Sequence, residues 1–307
     1  MLRDQINHSV RAWAALALRH TPELRGRWHV AGAVNKYFAP VSQPFCTAWT
    51  RMRLGHEMLV DLRSDTEFRS YYLGDFDTQV IRCALRLLRP DSSVLDVGAN
   101  IGFWSIPLAG HLKGQGCLHA FEPVPANCRR LAENVRRNVL EGTVQIHQSG
   151  LSDQNRSLQI SLREDFANGA ETGNAAIVID SEDLQFKSTE IQVNRLDDVS
   201  GSLGIDRIDF IKADIEGHEH RFLAGAVNIV HRFRPILYVE INRVHYRRQG
   251  LDAAAIFEEW LKANSYDSAL HRKGRWSLDT VRNCGELDNA FFFPAEARAA
   301  CMKRLNC

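Results

Sequence analysis

The period of the apolar positions changes near residue 90. Before it, apolar residues recur at helical spacing from Ile6 to Leu18. Pro22, Pro40 and Pro44 punctuate the next stretch of chain, and a short strand is expected at Glu57 to Leu62. Val80, Ala84, Leu87 and Leu88 then share a helical face in the segment Gln79 to Leu88, which ends before Arg89-Pro90 because a residue preceding proline avoids helical angles. Residues 1–88 are therefore expected to form a mainly helical extension.

From Ser93 onward, short apolar runs alternate with helical patterns, as parallel strands joined by crossover helices do. Strands are predicted at 93–97, 117–122, 143–148, 208–214 and 236–241, and helices near 102–112, 125–139, 218–230 and 252–263. The expected fold is α/β, a doubly wound, Rossmann-like, mostly parallel sheet over residues 89–307. Within it, Ser157 to Leu162, Ala175 to Ile179 and Glu190 to Val193 alternate with period two, which predicts an antiparallel β insertion at about 151–205. The run Phe291-Phe292-Phe293 reads as a last edge strand ended by Pro294.

Composition narrows the class. A chain of 307 residues, 45% hydrophobic, can bury a large core. Its 38 basic and 37 acidic residues leave a formal net charge of +1, too little field to hold a polyanion, so no nucleic-acid partner is expected. Seven dispersed Cys without a CxxC pair suit free thiols in a reducing compartment. The apolar run Trp13 to Leu18 is too short to span a membrane and has no evident cleavage site. A cytoplasmic protein with no membrane partner is expected, and the oligomeric state is not legible.

Candidate chemistry starts at Val94-Leu95-Asp96-Val97-Gly98-Ala99-Asn100-Ile101-Gly102, where a buried strand turns through glycine toward a helix whose N-terminus suits an anion. Dinucleotide loops need G-x-G-x-x-G against pyrophosphate, and here only Gly98 and Gly102 follow Asp96, which weakens a nicotinamide-dependent reading. In Phe121-Glu122-Pro123 an acid ends the second strand at the height of that loop, where a carboxylate can accept from ribose hydroxyls. Together these fit an adenosyl ligand whose other end is an amino-acid carboxylate.

Further along, Lys212-Ala213-Asp214-Ile215-Glu216-Gly217-His218 crowds ionisable groups at a strand's C-terminal edge, the edge where an open α/β sheet binds ligands. Glu240, ending the next strand, approaches the same edge, with Asn242 just beyond it. Asp214, Glu216, His218 and Glu240 are candidates for acid–base work on a bound substrate, with Lys212 as their charge partner. By ligand type the carboxylates also suit Mg²⁺, although Lys212 competes for their charge, so a divalent metal is compatible with the set but not predicted. His245, Tyr246 and Trp276 are further candidates for an acceptor pocket.

Taken in order, VLDVGANIG at 94–102, AFEP at 120–123, IDFIKADIEGHEH at 208–220 and RPILYVEI at 234–241 resemble the FkbM family of class I, S-adenosylmethionine-dependent methyltransferases. These motifs cover about residues 72–242. The resemblance implies the class I fold, S-adenosylmethionine as cofactor, and Asp96, Gly98, Asn100 and Gly102 at its methionine end. It also implies Glu122 at the ribose, Leu151 and Ser152 beside adenine, and Tyr72 covering the methionine end. The reaction it implies is O-methylation of a sugar, glycan or specialised metabolite, so the partner is a small-molecule or glycan acceptor. An N- or carboxylate-methyltransferase and a non-catalytic adenosyl-binding module stand as alternatives, since the cofactor loop is blind to the acceptor.

Overall fold

A computed structural model describes residues 2–21, 26–40 and 45–307. Pro22 and Pro44 lie outside the described residues. The extension comprises helices Leu2–His20 and Arg27–Tyr37, a hairpin of β1 (Thr47–Arg51) and β2 (Glu57–Asp61), and helices Asp65–Leu73 and Thr78–Leu87. The last of these buries Ala84 and Leu87, with Leu88 just beyond it, as expected, and Ile81 where Val80 is only half-buried. Among the described residues, the extension shares its core with the central sheet. Leu18, Met58, Tyr72 and Ile81 join one hydrophobic cluster with Val94, Leu118 and Phe210 of the central sheet.

That sheet begins with β3 (Ser93–Val97), β4 (Cys117–Phe121) and β5 (Val144–His147). The insertion follows as β6 (Gly150–Leu151), β7 (Arg156–Leu162), β8 (Ala175–Ile177) and β9 (Lys187–Asn194), a separate sheet in the order β6-β9-β7-β8 whose β7 runs antiparallel to both neighbours. The chain then returns to the main sheet as β10 (Phe210–Ala213), β11 (Ile236–Asn242), β12 (Tyr266–Arg272), β13 (Arg275–Leu278) and β14 (Leu287–Pro294).

The main sheet has the order β13-β12-β14-β11-β10-β3-β4-β5, parallel from β11 to β5. From β3 the chain winds one way through β4 and β5, then resumes on β3's other side at β10, so the topological switch point opens between β3 and β10. Alternate residues face opposite layers: Leu95, Val97, Ile211 and Leu237 pack into a second cluster, away from Val94 and Phe210.

Two expectations are corrected. The Phe291–Phe293 strand is interior, antiparallel to both β11 and β12, and all three rings are fully buried. The edge is β13 instead, because a hairpin at 266–278 adds two strands beyond it. The helix expected at 218–230 is two helices, Glu219–Ala224 and Val227–Phe233, broken at Gly225, where a Cβ would lie 1.9 Å from the Ser152 carbonyl oxygen.

Candidate active site

At the switch point the ends of β3, β4, β10 and β11 surround a cavity of about 290 Å³. Gly98 (φ 78°) begins the first loop, and glycine is needed there because a Cβ would sit 2.0 Å from the Asp214 carbonyl oxygen. Gly98 and Ala99 donate their N–H groups to the Phe121 carbonyl. Asn100 (φ 50°) donates its N–H to Glu122 Oε2 at 2.9 Å and its amide to Asn174 Oδ1 at 3.2 Å. Glu122 is buried, which raises its pKa; its Oε1 also accepts from the Val124 N–H and the Asn127 amide. A carboxylate has about four acceptor sites. Three are used, so one remains on Oε2, and beyond it Phe121, Leu151, Ile160, Ile191 and Val193 form an apolar wall of the same cavity. A ribose hydroxyl at Glu122 and a flat adenine on that wall are compatible with these residues.

Of the residues expected at the cofactor, Gly98, Asn100, Glu122 and Leu151 line the cavity and Asp96, Gly102, Ser152 and Tyr72 do not. Asp96 is fully buried beneath the loop: its Oδ2 accepts from Ser105 Oγ at 2.6 Å, and its Oδ1 lies 3.4 Å from Lys212 Nζ. Gly102 packs inward, where a Cβ would strike Leu131 at 2.6 Å. Ser152 is buried behind the wall, donating to Asp153 and lying 2.9 Å from His218 Nε2. Tyr72 is buried in the extension, its hydroxyl directed at Asn35.

The acceptor edge is organised by Lys212. Its Nζ donates to the Gly98 carbonyl at 2.8 Å and lies 3.6 Å from Asp214, tying β10 to the cofactor loop. Burial opposes its charge, but Asp214, Asp96 and Glu240 outweigh that and raise its pKa. Asp214 is partly exposed in the cavity wall. Glu216, held at φ 57°, accepts from Asn174 Nδ2 at 3.3 Å; burial, then the charges of Asp214 and Glu219, push its pKa up to about 8. Glu240 also lines the cavity, with a buried Oε2 that has no hydrogen-bond partner; burial and then Asp214 and Glu216 raise its pKa.

His218 lines the cavity as well. Burial pushes its pKa down to about 3, so the ring is neutral and serves as wall beside Ser152. His245, Tyr246 and Trp276 lie off the cavity: His245 Nδ1 donates to the Glu216 main-chain carbonyl at 2.8 Å, Tyr246 donates to Glu219, and Trp276 packs on Phe291. Among the described residues, no three His, Cys, Asp or Glu side chains are placed to hold a metal ion together.

Several site residues carry no signal in the sequence pattern. Asp77 lines the cavity and accepts from Trp104 Nε1 at 3.4 Å, and Trp104 stacks on Tyr238 with centroids 4.7 Å apart. Asn127 clamps Gly173 in both directions, so the segment around Asn174 closes one side of the cavity. Glu219 is fully buried and accepts from the Ile215 and Gly217 N–H groups, which fixes the turn that presents Glu216.

A family model described as a methyltransferase FkbM domain matches residues 96–268. Among curated proteins, the chain is similar to the 31-O-demethyl-FK506 methyltransferase FkbM of Streptomyces tacrolimicus, 35% identical over 170 residues, covering 47% of this chain and 64% of that protein. It is also similar to the AMB antimetabolite synthetase AmbE of Pseudomonas aeruginosa, 29% identical over 218 residues, covering 61% of this chain and 10% of that protein. The chain thus spans a tenth of one relative and just under two thirds of the other. A solved methyltransferase FkbM from Methylobacillus flagellatus KT aligns over 95% of this chain and 59% of that one, with 19% identity and a TM-score of 0.44.

Proposed function

Because the chain belongs to the FkbM family of S-adenosylmethionine-dependent methyltransferases, we propose that it methylates a hydroxyl group of a sugar, glycan or specialised metabolite. S-adenosylmethionine supplies a methyl group already activated on a sulfonium, so the acceptor oxygen needs only alignment and loss of its proton. Asp96 and Lys212 fix the cofactor loop from below, Glu122 takes the ribose, and Gly98 and Asn100 border the methionine end. Asp214, ion-paired with Lys212, accepts the hydroxyl proton. Glu216 and Glu240, whose raised pKa values favour the protonated form, donate hydrogen bonds to the acceptor.

The observation that carries this reading is the unpartnered Oε2 of Glu240, a buried polar atom in the cavity wall beside a second carboxylate. A buried polar atom without a partner costs about 1–3 kcal/mol, and an acceptor hydroxyl relieves that cost. A carboxylate acceptor is disfavoured, since it would meet the Asp214 carboxylate in the same cavity wall.

The test is mass spectrometry of candidate acceptors after incubation with labelled S-adenosylmethionine, and then the same assay on Asp214→Asn. A gain of one methyl on oxygen is expected, with turnover of the variant down by roughly 10²–10⁴ and cofactor affinity unchanged. Methylation on nitrogen or a carboxylate overturns the hydroxyl reading. Full turnover in Asp214→Asn removes it as the base.

A further inference from the structure

The first helix, Leu2–His20, turns polar residues inward over its first turns and apolar ones outward, although Ala15 and Leu18 join the core. Asp4, Asn7 and Arg11 are buried, Arg11 donating to the Phe38 and Phe45 carbonyls, while Ile6, Trp13 and Leu16 point outward. Trp13 is 72% exposed and Leu16 50%. Its exposed positions from Gln5 to Ala17 include no Asp, Glu, Lys or Arg. The second helix, packed beside it, adds Val30 at 52% and Tyr37 at 79% exposed, at a spacing that puts both on one face.

From this we propose that the outward face of the two N-terminal helices is a homodimer interface, filled by the same face of a second copy of this chain. Area and charge both favour a second copy. An aromatic side chain presents about 150–250 Å², so Trp13 and Tyr37 offer roughly 300 Å² and the five apolar residues together roughly 600 Å² per protomer. A standard interface buries about 800 Å² per partner, a little over half of it apolar, which this face and its small polar neighbours supply. In an isologous contact the patch meets itself, and the first helix, with no charged residue at its exposed positions from Gln5 to Ala17, does so without repulsion. A lipid surface is the poorer occupant, because interfacial helices rely on outward Lys and Arg. Here Arg11 and Arg19 are turned onto main-chain carbonyls instead.

Light scattering on size-exclusion chromatography, over a range of concentrations, tests this in the wild-type chain, in Trp13→Glu and in Leu16→Glu. The wild type is expected at twice the monomer mass. Each variant should weaken the dimer at least about 30-fold, as loss of a central hot-spot residue does. Their S-adenosylmethionine affinity should be unchanged, since neither residue lines the cavity, and that measurement also shows that the variants are folded. A wild type that is monomeric at its highest soluble concentration overturns the proposal, whether or not it sediments with anionic phosphatidylserine vesicles. So does a dimer that survives both substitutions.

Discussion

Replacing Lys212 with Met keeps much of the side chain's volume and removes the cation on which three groups converge. Lys212 is buried, with Asp96 at 3.4 Å, Asp214 at 3.6 Å and the Gly98 carbonyl at 2.8 Å. Asp96 is fully buried and its Oδ1 has no hydrogen bond, so without the cation it becomes an uncompensated charge. Breaking a buried pair from one side costs about 3–5 kcal/mol. Asp214 is 41% exposed, so solvent screens its share, which adds less than about 1 kcal/mol. At roughly 2 °C per kcal/mol for a chain of this size, Tm should fall by about 6–10 °C. Calorimetric scanning reads the shift, and titration with S-adenosylhomocysteine reads the loosened loop as weaker binding. Adding Asp96→Asn removes the stranded charge and should recover most of the loss. A Lys212→Met protein within about 1 kcal/mol of the wild type, or a double variant no better than the single one, refutes the role given to this ion pair.

Glu122→Gln replaces one acceptor oxygen with a donor and should weaken S-adenosylmethionine binding by roughly 1–3 kcal/mol; calorimetry showing unchanged affinity takes Glu122 out of the cofactor site. Asn174→Ala cuts the links to Asn100 and Glu216 and should raise the KM for cofactor about 3- to 10-fold, with less effect on kcat. Unaltered KM means that this segment merely borders the cavity. Glu216 has a folded pKa of about 8 against an ordinary 4.5, so the folded state holds its proton more tightly. The stability this contributes is full below pH 4.5 and is lost as pH rises through 8. Urea midpoints of the wild type minus those of Glu216→Gln should therefore fall across that window; a flat difference contradicts the raised pKa.

Features set by the backbone were legible in the sequence. Each parallel strand lay within two residues of its expected place, because strands buried on both faces are short apolar runs bounded by turns. The glycine loop was legible for the same reason, since close approach to Asp214 leaves no other residue at Gly98. The hairpin at 266–278 was missed because its turn is Lys273-Gly274, both at positive φ, without the Asn or Asp that marks such turns. That omission misplaced the Phe291–Phe293 strand, whose three consecutive apolar rings already pointed to cover on both faces.

What the sequence hid was the choice of partners among acids crowded into one stretch. Asp214, Glu216 and Glu219 lie within six residues, and period-two counting fails across them because Glu216 and Gly217 both turn through positive φ. The turn sends Glu219 inward to the Ile215 and Gly217 N–H groups and to Tyr246, while Glu216 stays in the cavity wall. A left-handed conformation costs a non-glycine residue about 1–2 kcal/mol, a strain kept only where the surroundings enforce it. Glu219 enforces it here, through the two N–H groups that flank Glu216. Asp96 obeys the same logic at longer range: its position beside the loop suggested a ligand, but Lys212, from a strand paired in register with its own, claims the carboxylate first. Which acid meets the cofactor or acceptor and which holds the scaffold is therefore decided by pairing across strands, and spacing along the chain carries no record of it.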